Sequence, residues 1–210
     1  MGLVLSLQGG MAVGKTTMLE YLKIHAPYLN ICFEDNSVVI EEVRKMNPDR
    51  SRFDDFVEVQ RLWINSAICR FMEAKKHEVT VMDFGPEEIE FYTFAYPVSI
   101  KAEWRVDKAL SKELRILREC QPDRILFLEA SEDTLKKHNE NDHKRKRHTF
   151  DYYISKMLPL KKTWFRTMDN VDYLCIDGME TEEMGEEVLK WVRKCMRKKG
   201  IIIKKEIIKS

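Results

Sequence analysis

The sequence predicts an α/β protein in three layers: a parallel sheet with helices packed on both faces. Two observations carry this. Residues 3–8, 79–83 and 124–129 are short apolar runs without polar alternation, which is the pattern of strands covered on both sides. These runs alternate with longer segments of helical spacing, as in parallel strands joined by crossover helices.

The elements follow in order. Residues 3–8 form the first strand and run into Gly9-Gly10. Residues 15–25 form a helix that opens on that turn. Residues 37–42, Ser-Val-Val-Ile-Glu-Glu, are β-branched and then acidic and are taken as the second strand. Residues 53–76 carry helical spacing through Phe56, Val59, Leu62, Trp63, Ala67 and Phe71. Residues 79–83 form a strand closed by Asp83. Residues 102–120 read as one helix with Ala109, Leu110, Leu114 and Leu117 on one face. Strands at 124–129 and 171–176 and a helix at 182–198 complete the set, so five strands are expected. Residues 1–200 are expected to form one domain. The tail 201–210 stands apart; Gly200 ends a helix, and the Ile runs suit an edge strand, a homodimer contact or a packed arm.

Composition narrows the function. The chain has 210 residues, and 36 Lys+Arg against 35 Asp+Glu leave a net charge of +1. That balance argues against a nucleic-acid partner held by bulk positive charge. No apolar run approaches the ~18 residues of a membrane span, so no membrane partner is expected. The N-terminus lacks the basic segment of a signal peptide. The five cysteines, Cys32, Cys69, Cys120, Cys175 and Cys195, form no Cys-x-x-Cys pair and read as buried free thiols of a cytoplasmic protein. The five histidines show no zinc-binding spacing.

One motif carries chemistry. Gly9-Gly10-Met11-Ala12-Val13-Gly14-Lys15-Thr16 fits Gly-x-x-x-x-Gly-Lys-[Ser/Thr]. Its glycines let successive amides curve into an anion cradle, and the following helix turns its positive end toward the anion. Lys15 reaches terminal phosphates, the Thr16 hydroxyl ligates magnesium, and Thr17 extends the contact. A strand before the loop and a helix after it supply the context that the motif requires. The expected ligands are a nucleoside triphosphate, taken as ATP, and Mg2+.

Two carboxylates, Asp83 and Glu129, close strands, and ligands in such sheets sit at those ends. Asp83 is the expected partner of magnesium or of its bound water, while Glu129 is read as structural. No Asn-Lys-x-Asp sequence is present, which excludes an ordinary GTPase. Residues 132–150 are rich in cations and read as a lid. Within it, Lys137, Lys144, Arg145 and Arg147 would stabilise a transferring phosphoryl group while closure excludes water. Glu87, Glu88 and Glu90 read as the solvated start of a helix, where carboxylates complement the helix dipole, with a face toward a positively charged or hydroxyl-rich acceptor as the alternative. Phe91, Tyr92, Phe94, Tyr96, Trp63 and Trp104 read as core packing, with a substrate wall as the alternative.

The loop at 9–16, the strand-end Asp83-Phe84-Gly85-Pro86 and the basic segment before Phe150-Asp151-Tyr152-Tyr153 together resemble the nucleoside and nucleotide kinase group of P-loop proteins, which includes deoxynucleoside kinases and thymidylate kinases. The resemblance spans nearly the whole chain. It implies a P-loop NTPase fold with strand order 2-3-1-4-5, ATP-dependent phosphotransfer to a small-molecule acceptor, and a Glu at the end of the second strand as general base. Glu41 and Glu42 match that place; since they face opposite sides of a strand, one of the two would serve. Gln60 matches a base-reading Gln in the next helix. Related kinases carry Arg after the strand-end acid. This chain carries Phe84, and Arg44, Arg52, Arg105 or a lid residue would supply the missing charge. Two other readings use the same residues: a slowly hydrolysing regulatory switch, and a kinase acting on a non-nucleoside hydroxyl such as that of an antibiotic.

Overall fold

The computed structural model describes residues 2–142 and 149–202. The elements run β1 (Leu3–Gly9), α1 (Lys15–His25), β2 (Asn30–Cys32), α2 (Ser37–Met46), α3 (Phe53–Ala74), β3 (Val79–Asp83) and α4 (Pro86–Ser99). Then come α5 (Val106–Ala109), α6 (Ser111–Glu119), β4 (Arg124–Glu129), α7 (Glu132–Asn141), α8 (Phe150–Tyr152), a π-helical turn (Tyr153–Met157), α9 (Leu158–Arg166), β5 (Val171–Cys175) and α10 (Thr181–Lys198). The sheet has five strands in the order β2-β3-β1-β4-β5, and all neighbours are parallel. Order and direction are those expected.

The period-2 alternation of a strand sorts β1 between two helical layers. Leu3, Leu5 and Leu7 join Leu19 and Leu22 of α1 and Val188 and Val192 of α10 in the main core. Val4 faces the other way, with Phe71 and Ala74 of α3 and Met82 of β3. All seven β1 residues are buried, which explains why the strand reads as an unbroken apolar run. Two of them, Ser6 and Gln8, are nevertheless polar and fully buried.

Two expected elements are corrected. Residues 37–42 are not the second strand. They begin α2, whose Val39 and Val43 pack at helical spacing against Val59, while Val38 is 73% exposed and Ile40 40% exposed. A strand covered on both faces would not leave those side chains in water. The true β2, Asn30–Cys32, is three residues long, too short to show periodicity. The helix expected over 102–120 is broken at Leu110 into α5 and α6, although Leu110, Leu114 and Leu117 do share the buried face that contacts α3.

The remaining expectations divide. Gly200 ends α10 in a left-handed conformation (φ 74°), with Ile201 N–H donating to the Met196 carbonyl. Residues 203–210 of the tail lie outside the described residues, and Ile201 packs on the core edge. All five cysteines are free, but only Cys120 and Cys195 are buried; Cys69 and Cys175 are exposed. Among the described residues no helix is long and apolar enough to cross a membrane.

Phe127 on β4 is fully buried and touches the rings of Phe165 and Tyr173. Phe127→Ala leaves a cavity at the sheet centre and is expected to cost about 3–5 kcal/mol of unfolding free energy, read as a lower denaturant midpoint at unchanged slope.

Candidate active site

Two of the three positive φ angles in the loop between β1 and α1 fall on glycines; the third is at Ala12 (φ 61°), a conformation that is uncommon for a residue with a side chain. Gly9 (φ 142°) and Gly14 (φ 94°) lie in the region that favours glycine, and a Cβ on Gly9 would stand 2.6 Å from the Leu128 carbonyl. Val13 is buried and anchors the loop to the core. Met11 and Ala12 pack on the edge of that core, and Thr17 is exposed on the first turn of α1.

Lys15 is buried, and its Nζ donates to the Gly10 carbonyl at 2.9 Å. Burial, aided by the positive charge of Lys161, lowers its pKa to about 8. The Thr16 hydroxyl donates to Asp83 Oδ2 at 3.2 Å, linking the start of α1 to the end of β3. The other Asp83 oxygen, Oδ1, is buried and has no hydrogen-bond partner among the described residues. A hydroxyl, a carboxylate and a spare buried carboxylate oxygen fit a magnesium ion or its water. No described group of three or more His, Cys, Asp or Glu side chains would hold a metal alone. That suits magnesium, which takes only one or two carboxylates and completes its shell with phosphates and water.

The sheet brings together the expected loop, Thr16 and Asp83. It does not bring Glu41 or Glu42 to them. Both lie exposed on α2 and pair with Lys45 at 3.2 and 2.9 Å, because the segment that carries them is a helix. Glu129 pairs with Arg166 at 3.4 Å, in keeping with a structural acid. Lys137 is exposed on α7. Lys144, Arg145 and Arg147 lie outside the described residues. The described start of the lid is nonetheless docked: Leu135 is buried against the core, and His138 Nδ1 lies 3.1 Å from the Ala12 carbonyl of the loop.

Four side chains were not foreseen. Glu34 is the first acid after β2, two residues beyond Cys32. It lines an open cleft with Trp63 and Arg70 of α3, Phe84 and Ile89. Desolvation raises its pKa, the nearby Asp83 and Glu88 add to the rise, and the Asn36 amide, 2.6 Å away, opposes it. Arg70 reaches the ends of two strands at once: its Nη2 donates to the carbonyls of Asp83 (2.9 Å) and Phe33 (3.4 Å), and its Nη1 to that of Phe84 (3.4 Å).

The third and fourth are a pair, Glu88 with Lys161. Glu87 and Glu88 are buried, so they are not a solvated helix start. Glu87 accepts from Ser6 Oγ and from Gln8 Nε2 (2.6 Å), and Glu88 accepts from Lys161 Nζ at 2.9 Å. Glu90 is half-buried and pairs with the exposed Arg118 at 2.6 Å. The sequence did hold signals. Ser6 and Gln8 interrupt an otherwise apolar strand, and Lys161 sits at helical spacing between Leu158 and Phe165 on the buried face of α9.

Phe84 adopts φ 52°, a left-handed conformation rare for a bulky residue and costly by roughly 1–2 kcal/mol. Its ring is covered by two ammonium groups, Lys15 at 4.3 Å and Lys161 at 4.8 Å from the centroid. Neither Arg44 nor Arg52 supplies the charge at this point, since both are exposed, and Arg105 pairs with Asp107. The aromatic residues are mostly packing. Phe91 lies in the core, Tyr96 stacks on Phe56, Trp104 packs on Phe53 and Phe56, and Trp63 faces the cleft. Gln60 accepts from Thr93 Oγ1 at 3.1 Å.

No protein-family model matches the chain, and no curated protein matches it by sequence. Solved structures do match. A thymidylate kinase from Candida albicans is 14% identical, with a TM-score of 0.61 and 92% of each chain covered. A deoxyadenosine kinase from M. mycoides, solved with dCMP and dCDP, is 11% identical, with a TM-score of 0.66 over 91% of this chain and 100% of that one. The same enzyme with bound dCTP gives a TM-score of 0.67 at 9% identity, again over 91% of this chain and 100% of that one. At these identities the likeness establishes architecture: the chain has the P-loop kinase fold that these nucleoside and nucleotide kinases share.

Proposed function

We propose that the chain is an ATP-dependent phosphotransferase whose acceptor is a nucleoside or a nucleoside monophosphate. The observation that carries this reading is the meeting, at the carboxyl ends of β1, β3 and β2, of a phosphate loop with a second cleft that holds one acidic and one basic side chain. Lys15 and Thr16 stand against Asp83 on one side, and Glu34, Trp63 and Arg70 line the other. A loop alone suits a switch, whereas an adjoining cleft gives an acceptor a place. The fold shared with thymidylate and deoxyadenosine kinases supports the same reading.

In this mechanism the loop amides and the start of α1 hold the triphosphate. Lys15 exchanges the Gly10 carbonyl for terminal phosphate oxygens. Thr16 and Asp83 would hold magnesium, which when bound would neutralise charge on the phosphates. Where the acceptor is a nucleoside, Glu34 takes the proton from its hydroxyl, and desolvation, which raises the Glu34 pKa, makes it a stronger base than a free carboxylate. Arg70 keeps the ends of β2 and β3 together, so that Glu34 and Asp83 hold their spacing. Trp63 offers a flat wall for a base. Lys144, Arg145 and Arg147 are assigned to the charge that spreads over the equatorial oxygens.

The test is ADP release from Mg-ATP across nucleosides, nucleoside monophosphates and other hydroxylated metabolites. Stimulation by one acceptor class, lost in Lys15→Ala, is the expected result. Release stimulated only by a protein partner would favour a switch instead. Glu34→Gln is expected to lower turnover about 10²- to 10⁴-fold while Mg-ATP affinity stays within about threefold of wild type. Affinity also has a predicted pH limb. Lys15 of the free chain loses its proton as pH rises through about 8, and phosphate prefers the charged form. Mg-ATP affinity, measured by calorimetry, is therefore level through neutrality and falls above that point, and Lys15→Ala lacks the limb.

A further inference from the structure

The phosphate loop is held by two lysines, and only one belongs to its motif. Lys15 Nζ binds the Gly10 carbonyl at 2.9 Å. Lys161 Nζ, arriving from α9, binds the preceding carbonyl, that of Gly9, also at 2.9 Å. Lys161 is fully buried, and its other partner is Glu88, whose two oxygens lie 2.9 and 2.7 Å away. Both ammonium groups approach the ring of Phe84, the residue that stands where related kinases carry Arg.

The energetics point away from a stabilising role alone. Removing an ammonium and a carboxylate from water is costly, and an apolar pair of similar volume commonly stabilises a core as well or better. Position 161 lies on the buried face of α9 with Leu158 and Phe165, where an apolar residue is the ordinary occupant. What an apolar residue lacks is a donor for the Gly9 carbonyl and a positive charge beneath the loop. The Gly9 peptide is also where the chain leaves β1, so its orientation sets the direction of every amide that follows.

We propose that Lys161 is a second lysine of the phosphate site. It is a positioning residue that fixes the first carbonyl of the loop and, tempered by Glu88, adds to the positive charge met by nucleotide phosphates. The cation missing at position 84 is thus supplied from α9. This rests on the nucleotide-binding reading of the loop.

The test is calorimetric titration of the full chain with Mg-ATP, at neutral pH and low salt, for wild type, Lys161→Met and Glu88→Gln. Both substitutions remove the ionic pairing of the same two buried side chains, so a purely structural role would weaken binding in both or in neither. The charge role predicts opposite signs: about tenfold weaker binding in Lys161→Met, and about threefold tighter binding in Glu88→Gln, where a negative charge near the phosphates is lost. Should Lys161→Met fail to fold, the near-isosteric Glu88→Gln decides, and affinity equal to or below wild type overturns the proposal. Wild type that binds no Mg-ATP overturns the loop reading and this assignment together. Wild type that binds, with variants that do not diverge, overturns the role of Lys161 alone.

Discussion

The site depends on a polar contact buried between β1 and α4. β1 is covered on both faces, yet Ser6 and Gln8 point polar groups into the layer beneath α4. A buried donor left unpaired costs about 1–3 kcal/mol, so these two demand a partner. Glu87 supplies it, accepting from Ser6, from Gln8 and from the Gly85 amide. The start of α4 is thereby pinned to the strand that delivers the phosphate loop. That pin fixes the turn at Phe84-Gly85, and with it the place of Asp83 against Thr16. One residue on, Glu88 extends the same layer to Lys161 and the Gly9 carbonyl. Loop, strand-end acid and α9 are one connected object.

Much of the architecture was legible because it is built from burial. Residues 79–83 and 124–129 lie covered on both sides, and an unbroken apolar run is the direct trace of that. The loop was legible because its glycines answer to backbone geometry and its Lys-Thr pair to chemistry. The acceptor side was less so. Val38-Val39-Ile40 looks like a strand to any propensity argument, but tertiary packing selects helical spacing through Val39 and Val43. The strand that does form there has three residues, so Glu34 carried no pattern to mark it. Glu87 and Glu88 resemble the acids that open many solvated helices. The burial of Glu87 follows from Ser6 and Gln8, about eighty residues earlier, and that of Glu88 from Lys161, far later in the chain, so no local window contains the partners. Arg70 was hidden for a similar reason, since its partners are main-chain carbonyls on other elements.

The electrostatics of the site are a near balance drawn from distant parts of the chain. Glu34, Asp83 and Glu88 stand near Lys15, Lys161 and Arg70, and these charges come from α1, α3, α4, α9, the end of β3 and the segment after β2. Among the buried members, Lys15, Lys161, Asp83 and Glu88, little water is present to screen these interactions, whereas Glu34 stays exposed. Lys15 and Glu34 are both pushed toward their neutral forms, one down and one up, mainly by desolvation. The arriving phosphates would therefore meet a site whose charge state responds to them.

The brevity of β2 has a consequence for the whole molecule. An exposed strand edge offers unpaired amides and carbonyls to any other chain, and long flat edges template aggregation. On this side the sheet ends in three residues, followed at once by the turn at Asp35–Ser37 and by α2. The same economy that leaves Glu34 at the mouth of the cleft leaves a neighbouring polypeptide almost no ladder to extend.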